Sequence, residues 1–146
     1  ETGTNKGLVS RYLDNLARHE LLQKIDKKYR VLDNAMVRAI KVLLNLDRLS
    51  PKPVTFDHVH GIGIFGSWAQ GTNTYKSDID VWIRVERYPP EKELAQIQNA
   101  LRKAAGCETN LLVLTPQKMR ELRSKDAPFY NSLVRTSIVL DGEPIE

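Results

Sequence analysis

A chain of 146 residues, 41% hydrophobic and 27% charged, can bury one ordinary core or two small ones, which excludes a disordered or fibrous polymer. Ten Lys/Arg against six Asp/Glu in residues 1–49, and twelve of each in residues 50–146, put the whole formal charge of +4 into the first third. No apolar run approaches the roughly 20 residues of a membrane helix and no secretory leader is evident, so the expected compartment is the cytoplasm, with no membrane partner. The single cysteine, Cys107, excludes an internal disulfide and reads as a small buried hydrophobe. The chain opens on Glu1 instead of methionine, as expected of a sequence trimmed at its start.

The first predicted element is an amphipathic helix over residues 6–22, capped by Thr4 or Asn5, with Leu8, Val9, Tyr12, Leu13, Leu16 and Leu21 as its apolar stripe. Residues 22–25 and 29–32 flank a turn at Asp26-Lys27-Lys28 and form a short basic hairpin. Asp33 is the expected cap of a second helix reaching about Leu49, with Met36, Val37, Ile40, Leu43, Leu44 and Leu46 on or near its buried side. Leu49-Ser50-Pro51-Lys52-Pro53 ends that helix and divides the chain into modules of residues 1–50 and 54–146. Helix, basic hairpin, helix resembles the later part of a winged helix-turn-helix domain, on the segment SRYLDNLARHELLQKIDKKYRVLD. The resemblance makes residues 6–22 the recognition helix and residues 24–30 the wing. It implies DNA contact through Lys6, Arg11, Asn15 and Arg18, and through Lys27, Lys28 and Arg30. The earlier helices of such a domain are absent from the sequence. The module would therefore lean on the second one, or on a partner chain in an oligomer.

Past the prolines, an apolar strand over residues 59–65 leads into Gly66-Ser67-Trp68-Ala69-Gln70-Gly71, a strand-to-helix corner. His58 and His60 at the strand's entry read as surface residues, not metal ligands. Ten residues separate Ser67 from Asp78, and in Ser77-Asp78-Ile79-Asp80-Val81-Trp82 the acids alternate with aliphatics. That period of two predicts a strand over 78–85 with both carboxylates on one face and Ile79, Val81 and Ile83 in the core. Two adjacent carboxylates repel unless a cation lies between them, and hard oxygen donors suit magnesium or manganese. Gly66 and Ser67 offer backbone N–H groups and a hydroxyl to a phosphate. Trp82 shares the face of the acids and lines the cleft, whereas Trp68 packs its helix onto the sheet. A helix over 91–105 ends at Gly106. It is followed by a strand over 108–114, a helix over 116–124 opened by Thr115-Pro116, a short helix over 128–135 and an extended piece over 136–140.

The Gly-Ser pair, its spacer and Asp-x-Asp resemble the nucleotidyltransferase superfamily of the DNA polymerase beta type, and more narrowly its minimal members, over residues 59–145. The resemblance implies an α+β fold in which a mixed sheet carries flanking helices. It implies metal-dependent transfer of a nucleoside monophosphate, AMP from ATP, to a hydroxyl acceptor. Asp78 and Asp80 would hold Mg2+ or Mn2+, and Gly66, Ser67 and Ser77 the nucleoside triphosphate. Minimal members are commonly paired with a small helical partner protein in toxin–antitoxin modules, which makes such a partner the implied acceptor.

The family's third acid falls on the strand in CETNLLVLTP, where the sequence has Asn110, with Glu108 two residues earlier. Glu108 substitutes as the third catalytic carboxylate, or Asn110 ligates weakly, or the site binds nucleotide and turns it over slowly. The alternative from another class is a DNA-binding regulator whose transferase fold senses nucleotide or is inactive.

Overall fold

The structure, a computed structural model, describes residues 5–50 and 58–146. Thr4, the prolines 51 and 53 and the start of the second module at 54 lie outside the described residues. Helix α1 spans Lys6–Arg18, four residues shorter than expected, and Asn5 caps it by accepting from the Gly7 amide at 2.9 Å. Glu20, at φ +57, ends the helical path and lets Leu21 and Leu22 run into the hairpin instead. Strands β1 (Leu22–Ile25) and β2 (Lys28–Val31) pair antiparallel around a turn of Asp26 and Lys27, so Lys28 belongs to the strand, not the turn. Asp14 ties hairpin to helix, accepting from Lys24 Nζ at 2.9 Å and Tyr29 Oη at 2.7 Å. The hydrogen bond from Lys24, with that from Tyr29, holds its carboxyl below the usual range.

Helix α2 spans Ala35–Arg48 and corrects two expectations. Its cap is Asn34, whose side chain accepts from the Val37 amide at 2.9 Å, because the capping position immediately precedes the first helical residue. Asp33, one residue too early, pairs with Arg38 instead. The face that α2 buries carries Val37, Asn45 and the cap residue Leu49, with Lys41 and Leu46 half-buried; Val37 and Leu46 of the expected stripe lie on it, whereas Met36, Leu43 and Leu44 are 63%, 67% and 55% exposed, and Ile40 is exposed as well. Hydrogen bonding selects that face. Lys41 Nζ donates to the Asn73 carbonyl at 2.6 Å, and Asn45 Nδ2 to the Trp68 carbonyl at 2.9 Å and to Asn73 Oδ1 at 3.1 Å. No residue of α1 is buried.

Those bonds dock α2 on the region of α3 (Gly66–Gln70), which follows strand β3 (Val59–Phe65). β3 is central in a mixed sheet. It pairs antiparallel with β4 (Ile79–Val85) on one side and with β6 (Ile138–Gly142) on the other, while β4 pairs in parallel with β5 (Thr109–Leu114). The parallel pair needs a crossover, supplied by α4 (Glu91–Ala105) with its αL cap at Gly106. Helices α5 (Pro116–Lys125) and α6 (Ala127–Thr136) follow, and β6 starts two residues later than expected.

Alternation along the strands divides two cores. On one face Ile62, Ile64, Ile79, Val81, Ile83 and Val85 meet Ile97 and Leu101 of α4, Trp68 of α3 and Leu49. On the other face Trp82 and Leu114 meet Tyr130, Leu133 and Ile145, with Phe65, Leu112, Met119 and Phe129 around them. Trp82, expected at the cleft, is fully buried in this second core, because two residues along β4 from Asp80 carry it inward beneath α5 and α6. Trp68 is buried in the first core, as its packing role requires. Among the described residues no helix is long and apolar enough to cross a membrane.

Candidate active site

Residues from three strands come abreast where β3 ends and where β4 and β5 begin. Phe65 pairs with Asp80 across the antiparallel ladder, and Asp80 with Asn110 across the parallel one. The sheet turns away from this row at Gly66, whose φ of +65 lies in the left-handed region that favours glycine. A Cβ on Gly66 would stand 2.5 Å from Asp80 Oδ2, so the missing side chain leaves room for that carboxylate against the bend. The other oxygen, Oδ1, accepts from Asn110 Nδ2 at 3.1 Å. Asp80 is thus held between an amide on one neighbouring strand and a bare backbone corner on the other.

Asp78 lies two residues before Asp80, just ahead of the first residue of β4, and is exposed. Ile79 N–H donates to the Glu108 carbonyl at 2.9 Å, which sets Asp78 beside Glu108 along the backbone. The Glu108 side chain turns to Arg102 of α4 at 3.4 Å, a solvent-exposed pair, so Asn110 is the β5 residue whose side chain reaches Asp80. Cys107, just before, is half-buried. Burial pushes its thiol up, the Ile79 amide offsets part of this, and the charge of Asp78 adds to the rise, in keeping with a neutral packing residue.

At the bend, no side chain among the described residues caps the N-terminus of α3. The Ser67 carbonyl accepts from the amides of Thr72 at 3.0 Å and Asn73 at 3.2 Å, closing the loop after the helix, while its hydroxyl makes no hydrogen bond among the described residues. Uncapped amides at a helix start, with a free hydroxyl beside them, are donors in want of acceptors. Ser77 is committed elsewhere: its hydroxyl accepts from the Thr74 amide at 2.9 Å and so shapes the turn leading into Asp78. Phe129 of α6 meets the Phe65 ring edge-on at 6.2 Å and 78°, bracing the corner from below. Nothing in the sequence signals that brace, because the two rings lie in distant segments.

The carboxylate oxygens of Asp78 and Asp80 are hard donors of the kind a divalent cation takes, and Asp80 Oδ2 is turned to the Gly66 bend. Among the described residues no group of three or more His, Cys, Asp or Glu is arranged to hold a metal ion. His58 and His60 line a separate cavity of about 510 Å3 with Glu86, Tyr88 and Glu93, at the opposite end of β3.

On α1 and the β1–β2 hairpin, Lys6, Arg11, Asn15, Arg18, Lys27, Lys28 and Arg30 are all exposed. Arg11, Asn15 and Arg18 follow helical spacing along one side of α1. Lys24, also basic, is engaged by Asp14.

The model of the nucleotidyltransferase domain family matches residues 40–134, from the second half of α2 to α6. No curated protein matches the chain. Among solved structures, the chain is similar to a toxin–antitoxin protein crystallised with AMP-PNP, at 22% identity over 75% of each chain, with a TM-score of 0.45. It is also similar to a structure of a tri-AMPylated Shewanella oneidensis HEPN toxin in complex with MNT antitoxin, at 18% identity over 70% of this chain and 73% of that one, with a TM-score of 0.45. The family match spans well over half of the chain and covers the Gly-Ser bend, both aspartates and Asn110, and on that ground the chain belongs to the nucleotidyltransferase domain family.

Proposed function

We propose that the chain transfers AMP from ATP to a hydroxyl of a helical partner protein. The acceptor oxygen forms a bond to the α-phosphorus, the bond to the leaving pyrophosphate breaks, and the acceptor proton passes to solvent. Asp78 and Asp80 would hold Mg2+ or Mn2+, which supplies charge neutralisation to the triphosphate when bound. The amides of Gly66 and Ser67 and the Ser67 hydroxyl would take phosphate oxygens, with Ser77 fixing the turn that presents Asp78. The observation that carries this reading is the Asp80 carboxylate lodged in the space of an absent Gly66 side chain, which lets carboxylate and bend share one ligand. Such a protein would work in the cytoplasm, where ATP and magnesium are plentiful.

The test is label transfer from α-labelled ATP to candidate acceptors with magnesium. Asp78→Ala and Asp80→Ala should each lower it at least about a hundredfold, the scale of losing a charge-stabilising group at a phosphoryl centre. Transfer unchanged in both variants would overturn the assignment.

A second activity has its own support. The exposed cations of α1 and the hairpin, on the module of residues 1–50 that carries the net charge, favour DNA binding beside the transferase module of residues 54–146. Helix α2, counted in the first module, is the attachment to the second through Asn45. Duplex binding should weaken steeply with salt and fall further on Arg11→Ala. Binding indifferent to both would remove DNA as a partner.

A further inference from the structure

We infer that this active site takes one divalent cation per nucleotide, not the pair common in phosphoryl transfer, and that Asn110 sets that number. The inference rests on the metal–nucleotide reading of Asp78 and Asp80. Asn110 is the residue paired with Asp80 on β5, and its amide is the group that meets the carboxylate. The direction of that hydrogen bond follows from chemistry: an ionised carboxylate only accepts, so the amide atom beside it is the NH2. A carboxylate at position 110 would face Asp80 as a like charge and would need a second cation between them. An amide supplies a donor in its place and removes the need.

The remaining inventory agrees. The hydrogen bond occupies Oδ1 of Asp80 and leaves Oδ2, at the Gly66 bend, as its open oxygen. Glu108, the acid just ahead of that strand, turns to Arg102 in a solvent-exposed pair. Asp78 and Asp80, with the triphosphate, supply oxygen ligands for one divalent ion, and among the described residues no third His, Cys, Asp or Glu is grouped with them to hold another. Asn110 is accordingly a positioning residue: it fixes the orientation of Asp80 without bearing on the reacting atoms.

The experiment counts ions directly. The whole chain is titrated with Mn2+ in the presence of a non-hydrolysable ATP analogue, and free Mn2+ is followed by electron paramagnetic resonance. Wild type should bind one Mn2+ per chain and Asn110→Asp two. Asn110→Ala should bind one, about 10- to 100-fold more weakly, as when a group that orients a ligand is lost. Two ions in wild type would overturn the inference and leave the site reading intact, whereas none would overturn the site reading itself. One ion in a natively folded Asn110→Asp, checked by circular dichroism, would also overturn the inference. If that variant does not fold, the wild-type count and Asn110→Ala decide.

Discussion

Gly66→Ala should abolish nucleotide binding while Gly106→Ala, at nearly the same backbone geometry, should leave it untouched. Both glycines have positive φ, +65 and +73, so each alanine meets the left-handed penalty of roughly 1–2 kcal/mol. They differ in surroundings. A Cβ at Gly106 would meet nothing within 4 Å among the described residues, while one at Gly66 would stand 2.5 Å from Asp80 Oδ2. That oxygen is held on a strand and tethered through its carboxyl group to Asn110, so the clash resolves by moving Asp80 or opening the bend. Either outcome separates carboxylate from phosphate donors. Thermal melts should show both variants destabilised, Gly66→Ala the more. Calorimetric titration with magnesium and an ATP analogue should show binding lost in that variant alone. Equal binding by the two would show that the approach of Asp80 to the bend has no role in the ligand site.

Trp82→Ala should be the most destabilising single change in the second core, at about 3–5 kcal/mol, the range for deleting a large buried aromatic ring. Trp82 is fully buried, and the ring lies over Gly63, where a Cβ would come within 2.5 Å of Cζ2. Leu114, Tyr130, Leu133 and Ile145 surround it, joining the sheet to α5, α6 and the last residues. Its indole N–H has no hydrogen-bond partner among the described residues. Trp82→Phe therefore retains most of the packing and removes an unsatisfied donor, and should cost less than about 1.5 kcal/mol. Chemical denaturation of the two variants checks the ordering. A loss under about 1 kcal/mol for the alanine variant would mean that this face is held together by other contacts.

The Gly66 bend and the strand that carries Asp80 were legible in the sequence because their geometry is local. A strand ending in Gly-Ser and a second strand starting with alternating acids are each set by a few neighbouring residues, and the fixed spacer between them implies a close return. The mixed sheet and the bounds of α4 followed from the same periodicity and from Gly106. What was not legible depends on partners far along the chain. The face of α2 is chosen by Asn73 and the Trp68 carbonyl, which reward Lys41 and Asn45 over the more apolar stripe beside them. Alternation puts Trp82 on the Asp80 side, yet only the placement of α5 and α6 decides that this side is open at Asp80 and closed two residues on. Asn110 stood out as a departure from an acidic pattern, but its hydrogen bond to Asp80 depends on β4–β5 register. The choice of Asn34 over Asp33 as a cap turned on a single residue, the scale at which helix starts are hardest to fix from sequence.

The most direct measurement is the backbone amide spectrum of the chain as magnesium and a non-hydrolysable ATP analogue are added together. The Gly66 and Ser67 N–H resonances of the wild type should shift at saturation, and neither should move in Asp80→Ala at the same concentrations. Shifts of equal size without the Asp80 carboxylate, or a wild-type bend that ignores the ligand, would contradict a shared metal–phosphate site at this corner.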